Sequence, residues 1–190
     1  MKLLMCAAAL VLLMPAGAAA QTPAATGPVV VFETVKGSFE IELYPNEAPK
    51  SVAHILALVK SRFYNGLRVH RLVSGFVVQF GDPQTRDMSK RPLWGNQGSG
   101  KAVGVNEVNP KRPHRVGAVA MAHRGDPRGS DSQLYIALAG LEEPRIANIQ
   151  SMGTFPVIGQ VTSGMDVVRK LVETDVIRRA TVKAPGRGGK

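Results

Sequence analysis

Short apolar runs separated by turn residues limit the possible folds of this chain more than any other feature of its sequence. About eight such runs, beginning with Val29–Thr34 and ending with residues 176–182, are rich in Val, Ile, Phe and Leu. Most are joined by Gly, Ser, Pro or Asn rather than by helical stretches. Because parallel strands need long crossover connections, this pattern predicts an antiparallel β-barrel or sandwich.

Two stretches have helical rather than strand periodicity. Pro49 suits the first turn of a helix, and Val52 and Ile55 then begin an apolar stripe that ends at the Asn-Gly pair 65–66. Residues 165–173 have a similar, shorter stripe. The chain is therefore predicted to be mainly β with two α-helices.

The hairpin predicted from residues 67–73 and 76–80 carries polar side chains inside apolar runs. The Ser-Gly pair 74–75 between them is a turn signal, because glycine takes the positive φ that a tight turn needs. Arg71 and Gln79 are costly to bury without partners. Either both face solvent on the outer side of a sheet, or they project from neighbouring strands into one apolar recess.

The first twenty residues have the composition of a secretory signal peptide. Lys2 precedes an apolar run from residue 3 to residue 14, and the alanines 18–20 match a cleavage site. The run is shorter than the ~20 residues that a transmembrane helix requires. We therefore expect export without a membrane anchor, cleavage after Ala20, and a periplasmic or secreted protein.

The expected organisation is a signal peptide at 1–20, a flexible spacer at 21–28, one domain at 29–183 and a disordered basic tail at 184–190. The only cysteine, Cys6, lies in the signal peptide, so an apolar core must stabilise the domain, and 44% apolar residues suffice for one. The net charge of +10 is not accompanied by aromatic residues among the basic ones. Nucleic-acid binding is therefore not expected.

Three further motifs do not support a function. The glycine-rich segment 95–101 matches most of a phosphate-binding loop, but Ala102 follows where a Ser or Thr should bind magnesium, so it is interpreted as a flexible loop. Ser132, His70 and Asp82 could form a hydrolase triad, but no nucleophile-elbow motif is present. The four histidines share no metal-ligand spacing, and neither metal nor cofactor is expected.

Seven segments, in order, are similar to cyclophilin-type peptidyl-prolyl cis-trans isomerases over residues 29–182. The segments are FYNG (63–66), VHR (69–71), GFVVQFGD (75–82), GAVAMA (117–122), SDSQLYI (130–136), FPVIG (155–159) and GMDVV (164–168). The resemblance implies a closed eight-stranded antiparallel β-barrel capped by two α-helices. It also implies an enzyme that isomerises X-Pro bonds.

The resemblance assigns roles to nine positions. Arg71, Phe76 and Gln79 match the catalytic residues of the family. The substrate-binding positions are matched by Val77, Ala122, His123, Gln133, Tyr135 and Phe155. His123 replaces the family's asparagine, Phe80 replaces a glycine, and a tryptophan and a histidine of the pocket wall are missing, with Phe155 in the histidine's place.

The expected function is isomerisation of prolyl bonds in unfolded or flexible polypeptides during the folding of exported proteins, by a monomer. No bond is broken in this reaction, so it needs neither a nucleophile nor a cofactor. The altered pocket wall leaves an alternative open, a non-catalytic chaperone or scaffold that binds proline-containing peptides. The loop at 83–115 has no assigned role.

Overall fold

The computed structural model describes residues 27–184, so the predicted signal peptide and most of the spacer and tail lie outside the described residues. Its strands are β1 (Val29–Thr34), β2 (Gly37–Leu43), β3 (Arg71–Val73), β4 (Val77–Phe80), β5 (Ala118–Met121), β6 (Leu134–Ala137), β7 (Val157–Ser163) and β8 (Ile177–Val182). Its α-helices are α1 (Pro49–Lys60), α2 (Pro144–Met152) and α3 (Met165–Lys170). Within this part of the chain, none of the helices has the length and apolar character needed to span a bilayer.

All eight strands belong to one sheet in the order β3-β4-β6-β5-β7-β2-β1-β8, with every pair antiparallel. The prediction of a closed barrel is wrong, because the edge strands β3 and β8 do not pair and the sheet is an open half-barrel. The segments beside these edges, residues 66–69 and 174–177, are joined by four backbone hydrogen bonds around a bridge between Arg68 and Val176. The chain leaves that contact before β3 begins, so no continuous ladder closes the sheet.

Alternation along the strands separates two apolar clusters on opposite faces of the sheet. In β4, Val78 and Phe80 belong to the larger, inner core, whereas Val77 belongs to a smaller cluster on the outer face. Phe80 is fully buried, and its ring centroid lies 5.3 Å from that of Phe32 and 6.2 Å from that of Tyr64. Phe80, which stands where the family has a glycine, is therefore a core residue.

The two predicted helices are present but shorter than expected, and the prediction that there are only two is wrong. α1 ends at Lys60, and α3 ends at Lys170, which leaves Val172 48% exposed rather than inward. α2 is the additional helix and lies between β6 and β7. It begins with Pro144 after a capping carboxylate and ends before a left-handed glycine, Gly153.

The long loop 83–115 is anchored against the start of α1. Glu107 accepts hydrogen bonds from the backbone N–H groups of Lys50 and Ser51, at 3.0 and 2.8 Å. Arg112 pairs with Glu47 at 2.6 Å, and its guanidinium lies 3.8 Å from the ring centroid of Tyr44. Because the first N–H groups of a helix lack partners within the helix, Glu107 supplies a cap that the local sequence does not.

Candidate active site

Strand register brings the two polar residues of the hairpin together. Arg71 on β3 lies opposite Gln79 on β4, and Gln79 lies opposite Tyr135 on β6, so the three residues form one row across the outer face. The Arg71 guanidinium donates to the Gln79 side-chain oxygen over 3.4 Å. Arg71 is exposed and Gln79 is half-buried, so the pair lies at the border between solvent and the outer cluster.

A second amide continues this row. The Gln79 amide donates to the Gln133 side-chain oxygen at 2.9 Å, and the Gln133 amide donates to the backbone carbonyl of Gln97 at 2.8 Å. This chain of donors fixes the orientation of both glutamines. It also leaves one N–H of Gln79 without a partner among the described residues, since an amide nitrogen has two.

Three aromatic side chains lie beside the polar row, and we call Phe76, Tyr135 and Phe155 the aromatic wall. The Tyr135 and Phe155 rings meet edge-on with centroids 6.1 Å apart. Phe76 and Tyr135 are buried in the outer cluster, which also contains Val77 and is completed by Ile146 of α2. The aromatic wall therefore has a helix behind it.

Two arginines cover Phe76. The guanidinium carbon of Arg71 lies 5.5 Å from the Phe76 ring centroid, and that of Arg145 on α2 lies 4.8 Å from it. Both distances fall within the range of cation–π attraction. Sequence reasoning missed Arg145, because α2 was not predicted.

His123 and Ala122 follow β5 and reach the same region. The His123 ring stacks on Phe155 with centroids 4.2 Å apart. Burial lowers the pKa of His123, because the imidazolium ion would lose its hydration. At neutral pH this residue therefore presents a neutral aromatic surface.

A groove of about 520 Å³ runs along the polar row. Five of the nine residues assigned by resemblance line it, namely Arg71, Gln79, Ala122, His123 and Gln133. Phe76, Val77, Tyr135 and Phe155 lie next to the groove rather than in its lining. The structure thus brings the nine residues to one side of the sheet, but divides them between a polar groove and an apolar recess.

Residues 94–98 also line the groove. They belong to the segment 94–101, which we call the loop wall, and two carboxylates hold this segment. Asp82 is fully buried and accepts backbone N–H bonds from Gln84, Asn96 and Gln97 at 2.7, 2.9 and 3.1 Å. Asp131 holds the other end of the loop wall. The loop is therefore structured, contrary to the flexible loop that was predicted.

Asp131 accepts four hydrogen bonds. Its donors are the ring of His54 at 3.0 Å, the Ser99 hydroxyl, and the backbone N–H groups of Gly100 and Lys101 at 2.9 and 3.2 Å. Burial works against ionisation, but these bonds prevail and lower the pKa of Asp131. The N–H groups that resembled a phosphate cradle in the sequence are thus occupied by a carboxylate of the same chain.

Comparison with known proteins agrees with this geometry. Residues 29–186 match the family model for cyclophilin type peptidyl-prolyl cis-trans isomerase/CLD. A probable peptidyl-prolyl cis-trans isomerase of Brucella suis is 34% identical over 172 residues, covering 88% of this chain and 84% of the relative. The Helicobacter pylori peptidyl-prolyl cis-trans isomerase is 32% identical over 147 residues, covering 76% of this chain and 80% of the relative.

The chain belongs to the cyclophilin family of peptidyl-prolyl cis-trans isomerases.

Solved cyclophilins share its fold. A Cryptosporidium parvum cyclophilin has a TM-score of 0.67 at 22% identity and covers 83% of this chain and 98% of its own. A Hirschia baltica cyclophilin has a TM-score of 0.63 at 22% identity, with coverage of 80% and 73%. The present cyclophilin is therefore an enzyme that catalyses isomerisation of prolyl peptide bonds.

Behind the aromatic wall of this cyclophilin lies a buried polar cluster that sequence reasoning missed. The Tyr135 hydroxyl lies 2.7 Å from the ring Nε2 of His114, and His114 contacts Gln150 of α2. Burial raises the pKa of Tyr135 and lowers that of His114. No sequence signal indicated the cluster, because its members come from β6, a loop and an unpredicted helix.

Proposed function

We propose that this cyclophilin lowers the barrier to X-Pro rotation by donating a hydrogen bond from Arg71 to the prolyl nitrogen of the twisted transition state. Amide resonance creates a barrier of ~18–20 kcal/mol, although the isomers differ by only ~0.5–1 kcal/mol. When the amide twists, the nitrogen loses resonance and becomes basic. A donor that meets this nitrogen only in the twisted state lowers the barrier without stabilising the substrate.

The observation that carries the proposal is the free guanidinium beside the groove. Arg71 contacts the Gln79 oxygen and the Phe76 ring, and no carboxylate of residues 27–184 forms an ion pair with it. Its remaining N–H donors are therefore available to a substrate. An arginine keeps its charge at any physiological pH, so the donor is always present.

Gln79 and Gln133 are proposed to hold the substrate backbone. Gln79 lines the groove, so a carbonyl of a bound peptide can accept its unused N–H. Gln133 keeps Gln79 in this orientation and lines the groove itself. Ala122 and His123 complete that surface with small and neutral groups.

Phe76, Val77, Tyr135 and Phe155 are proposed to hold the proline ring. Apolar contact with the ring keeps it fixed while the residue before it rotates, and the low polarity of the recess strengthens the nearby hydrogen bonds. Since Arg145 and Arg71 both cover Phe76, a proline ring that binds against Phe76 lies beside two cations.

The proposed substrates are flexible proline-containing segments of exported proteins. Support comes from the sequence of residues 1–20, which has the order of a secretory signal. Cell fractionation with N-terminal sequencing tests this part. Recovery of a chain that starts at Gln21 outside the cytoplasm is expected, and a cytoplasmic chain that keeps its first twenty residues contradicts it.

The mechanism is tested with Arg71→Ala in the purified protein. Exchange NMR on a proline peptide should show a loss of about 10²- to 10³-fold in kcat/KM, the size expected for removing one transition-state donor. Arg71→Lys should recover only part of the rate, because it keeps the charge but loses the planar fork. Arg178→Ala is the matched control, since Arg178 is an exposed arginine on β8 far along the sheet order from β4.

The outcomes separate catalysis from simple binding. If Arg71→Ala isomerises the peptide as fast as the wild type, the arginine mechanism is wrong. If the wild type binds the peptide without accelerating exchange, the chaperone function expected as the alternative is supported instead. Circular dichroism of both arginine variants should match the wild type, because Arg71 is exposed.

A further inference from the structure

The buried cluster behind the aromatic wall consists of Tyr135, His114 and Gln150. Tyr135 is 4% exposed and His114 is 3% exposed, and their rings stack with an interplanar angle of 8°. The His114 Nε2 lies 2.7 Å from the Tyr135 hydroxyl, and its Nδ1 lies 2.8 Å from the Gln150 side-chain oxygen. The backbone N–H of His114 donates to the same oxygen at 2.9 Å.

These contacts fix the direction of every hydrogen bond in the cluster. A backbone N–H can only donate, so the Gln150 atom that faces it must be the carbonyl oxygen. That oxygen then requires a proton on Nδ1 of His114. The neutral ring has one proton, so Nε2 is the acceptor and the Tyr135 hydroxyl donates to it.

A tyrosine in an apolar recess has a hydroxyl that is costly to leave without a partner. We propose that His114 and Gln150 are positioning residues that hold the Tyr135 hydroxyl at the back of the recess, so that its ring faces the proline site. This inference rests on the proposed role of Tyr135 in holding the proline ring. Neither positioning residue lines the groove.

α2 supplies two parts of this arrangement. Gln150 lies in its last turn, and Ile146, one turn earlier, is fully buried in the cluster that contains Phe76 and Tyr135. One helix therefore supplies both the apolar backing and the hydrogen-bond acceptor of the aromatic wall. A shift of α2 would be transmitted to Tyr135 through His114.

Protonation of His114 would reverse the Tyr135 bond, because Nε2 would become a donor and the tyrosine proton would lose its acceptor. Burial lowers the pKa of His114, which opposes this change, and the bond to Gln150 acts in the other direction. The charged side chains nearby are paired with other groups or exposed to solvent. Arg112 pairs with Glu47, and on α2 Arg145 pairs with Glu143, while Arg115 is exposed.

The test compares Gln150→Ala and Gln150→Glu in the full chain, with Asn148→Ala and Asn148→Asp as controls at an exposed position of the same helix. Gln150→Ala should raise KM roughly fivefold with kcat little changed, because it loosens substrate contact without touching Arg71. Gln150→Glu keeps both acceptor contacts but adds a charge. It should move the acid limb of the kcat/KM profile upward by about one pH unit.

A second readout does not depend on activity. Nitrogen NMR of the His114 ring should show the Nδ1–H tautomer in the wild type and an imidazolium at higher pH in Gln150→Glu than in Asn148→Asp. If Gln150→Ala is unstable, Gln150→Glu still decides the question, because it preserves shape. Wild-type KM and acid limb in both Gln150 variants, with an unchanged His114 tautomer, would overturn the inference.

The result also separates this inference from the proposed function. If the proposed function fails, peptide binding leaves the Tyr135 ring signals of the wild type unchanged and Arg71→Ala has no effect. If only the positioning role fails, those two results stand and the Gln150 variants behave like the Asn148 controls.

Discussion

Two sides of the candidate site, the loop wall that lines the groove and the aromatic wall next to the groove, are held by different forces. The loop wall, residues 94–101, has no regular sheet or α-helix and depends on the carboxylates of Asp82 and Asp131. The aromatic wall depends on ring contacts and on α2 behind it. One side is therefore held by charge-assisted hydrogen bonds to single acceptors, and the other by many weak contacts.

This difference determines how each side responds to change. When one carboxylate accepts several N–H bonds, all of these bonds are lost together if it is removed, because every donor then lacks its partner. Apolar contacts are lost a few at a time. A single substitution should therefore destabilise the loop wall strongly. A single substitution in the aromatic wall should change stability or substrate affinity only slightly.

The largest effect is expected from Asp82→Ala. Asp82 is fully buried and accepts three backbone N–H bonds, two of them from the loop wall. The free energy of unfolding should fall by about 3 kcal/mol, since three backbone N–H groups lose a carboxylate acceptor and such hydrogen bonds contribute about 1.5–3 kcal/mol each, part of which water restores at the exposed Asn96 and Gln97. Urea unfolding measures the loss of stability. The kcat/KM for a proline peptide should fall as well, because the loop wall lines the groove and loses its anchor.

Asp87→Ala is the matched control for this prediction. Asp82 is the N-cap of a short 3₁₀ helix, Pro83–Arg86, and Asp87 is the N-cap of the next one, Met88–Leu93. Asp87 likewise accepts a backbone N–H two residues ahead, from Ser89, but it is exposed. Its loss should change stability far less. Equal destabilisation by the two variants would mean that burial and the loop wall have no part in the role of Asp82.

A smaller effect should separate the two sides by pH. His114 and His123 lie at the aromatic wall, and burial lowers the pKa of both below that of the unfolded chain, about 6.5. The unfolded state then binds protons more readily. Stability should fall as the pH drops below about 6.5, and should continue to fall until the folded histidines are protonated.

The loop wall should lose stability at a lower pH. The pKa of Asp131 is lowered in the folded state, where hydrogen bonds outweigh the opposing effect of burial. Its contribution is present above the unfolded value of about 3.9 and is lost as the pH falls through the folded pKa. Asp131→Asn should cost about 1 kcal/mol at pH 7, and this difference should shrink as the pH falls below about 3.9.

Unfolding curves of the wild type, Asp131→Asn and His114→Gln over this range check the order. His114→Gln should reduce the fall in stability below about pH 6.5, of which His123 and His70, whose pKa values burial also lowers, keep a part. Asp131→Asn should reduce the fall below about pH 4. If Asp131→Asn removes the upper step, the assignment of the two steps to the two sides is wrong.

Local patterns predicted the parts of this fold that local chemistry determines. The hairpin around Gly75 and the start of α1 at Pro49 follow from turn and helix signals, and both are present. α2 also had such signals, Pro144 at its start and Gly153 after its end, but its sparse apolar residues concealed them. Closure of the barrel was wrong because it depends on strand edges about a hundred residues apart, which no local pattern describes.

The site was predictable to a similar extent. Resemblance selected nine positions, and the register of β3, β4 and β6 explains why Arg71, Gln79 and Tyr135 share one face. The contacts that hold the site could not be read from the sequence. Asp131 meets Gly100 from 31 residues away, and such pairs depend on the completed fold.

The smallest effect is expected where the two kinds of force meet, at Arg145. This exposed arginine reaches from α2 over Phe76, so a charged side chain covers part of the apolar recess. Arg145→Ala should leave stability nearly unchanged and lower KM by about twofold. Removing the side chain exposes more of the Phe76 face to the proline ring, and this gain in apolar contact should exceed the attraction lost with the cation. Peptide titration by NMR measures the change.

Arg128→Ala is the matched control for Arg145→Ala. Arg128, like Arg145, pairs with the capping carboxylate two residues before it, but it is not among the arginines that contact an aromatic ring in the described part of the chain. Its removal should leave KM unchanged. A rise in KM on Arg145→Ala would mean that the cation attracts substrate rather than covering the recess, and the aromatic wall would then depend on charge as the loop wall does.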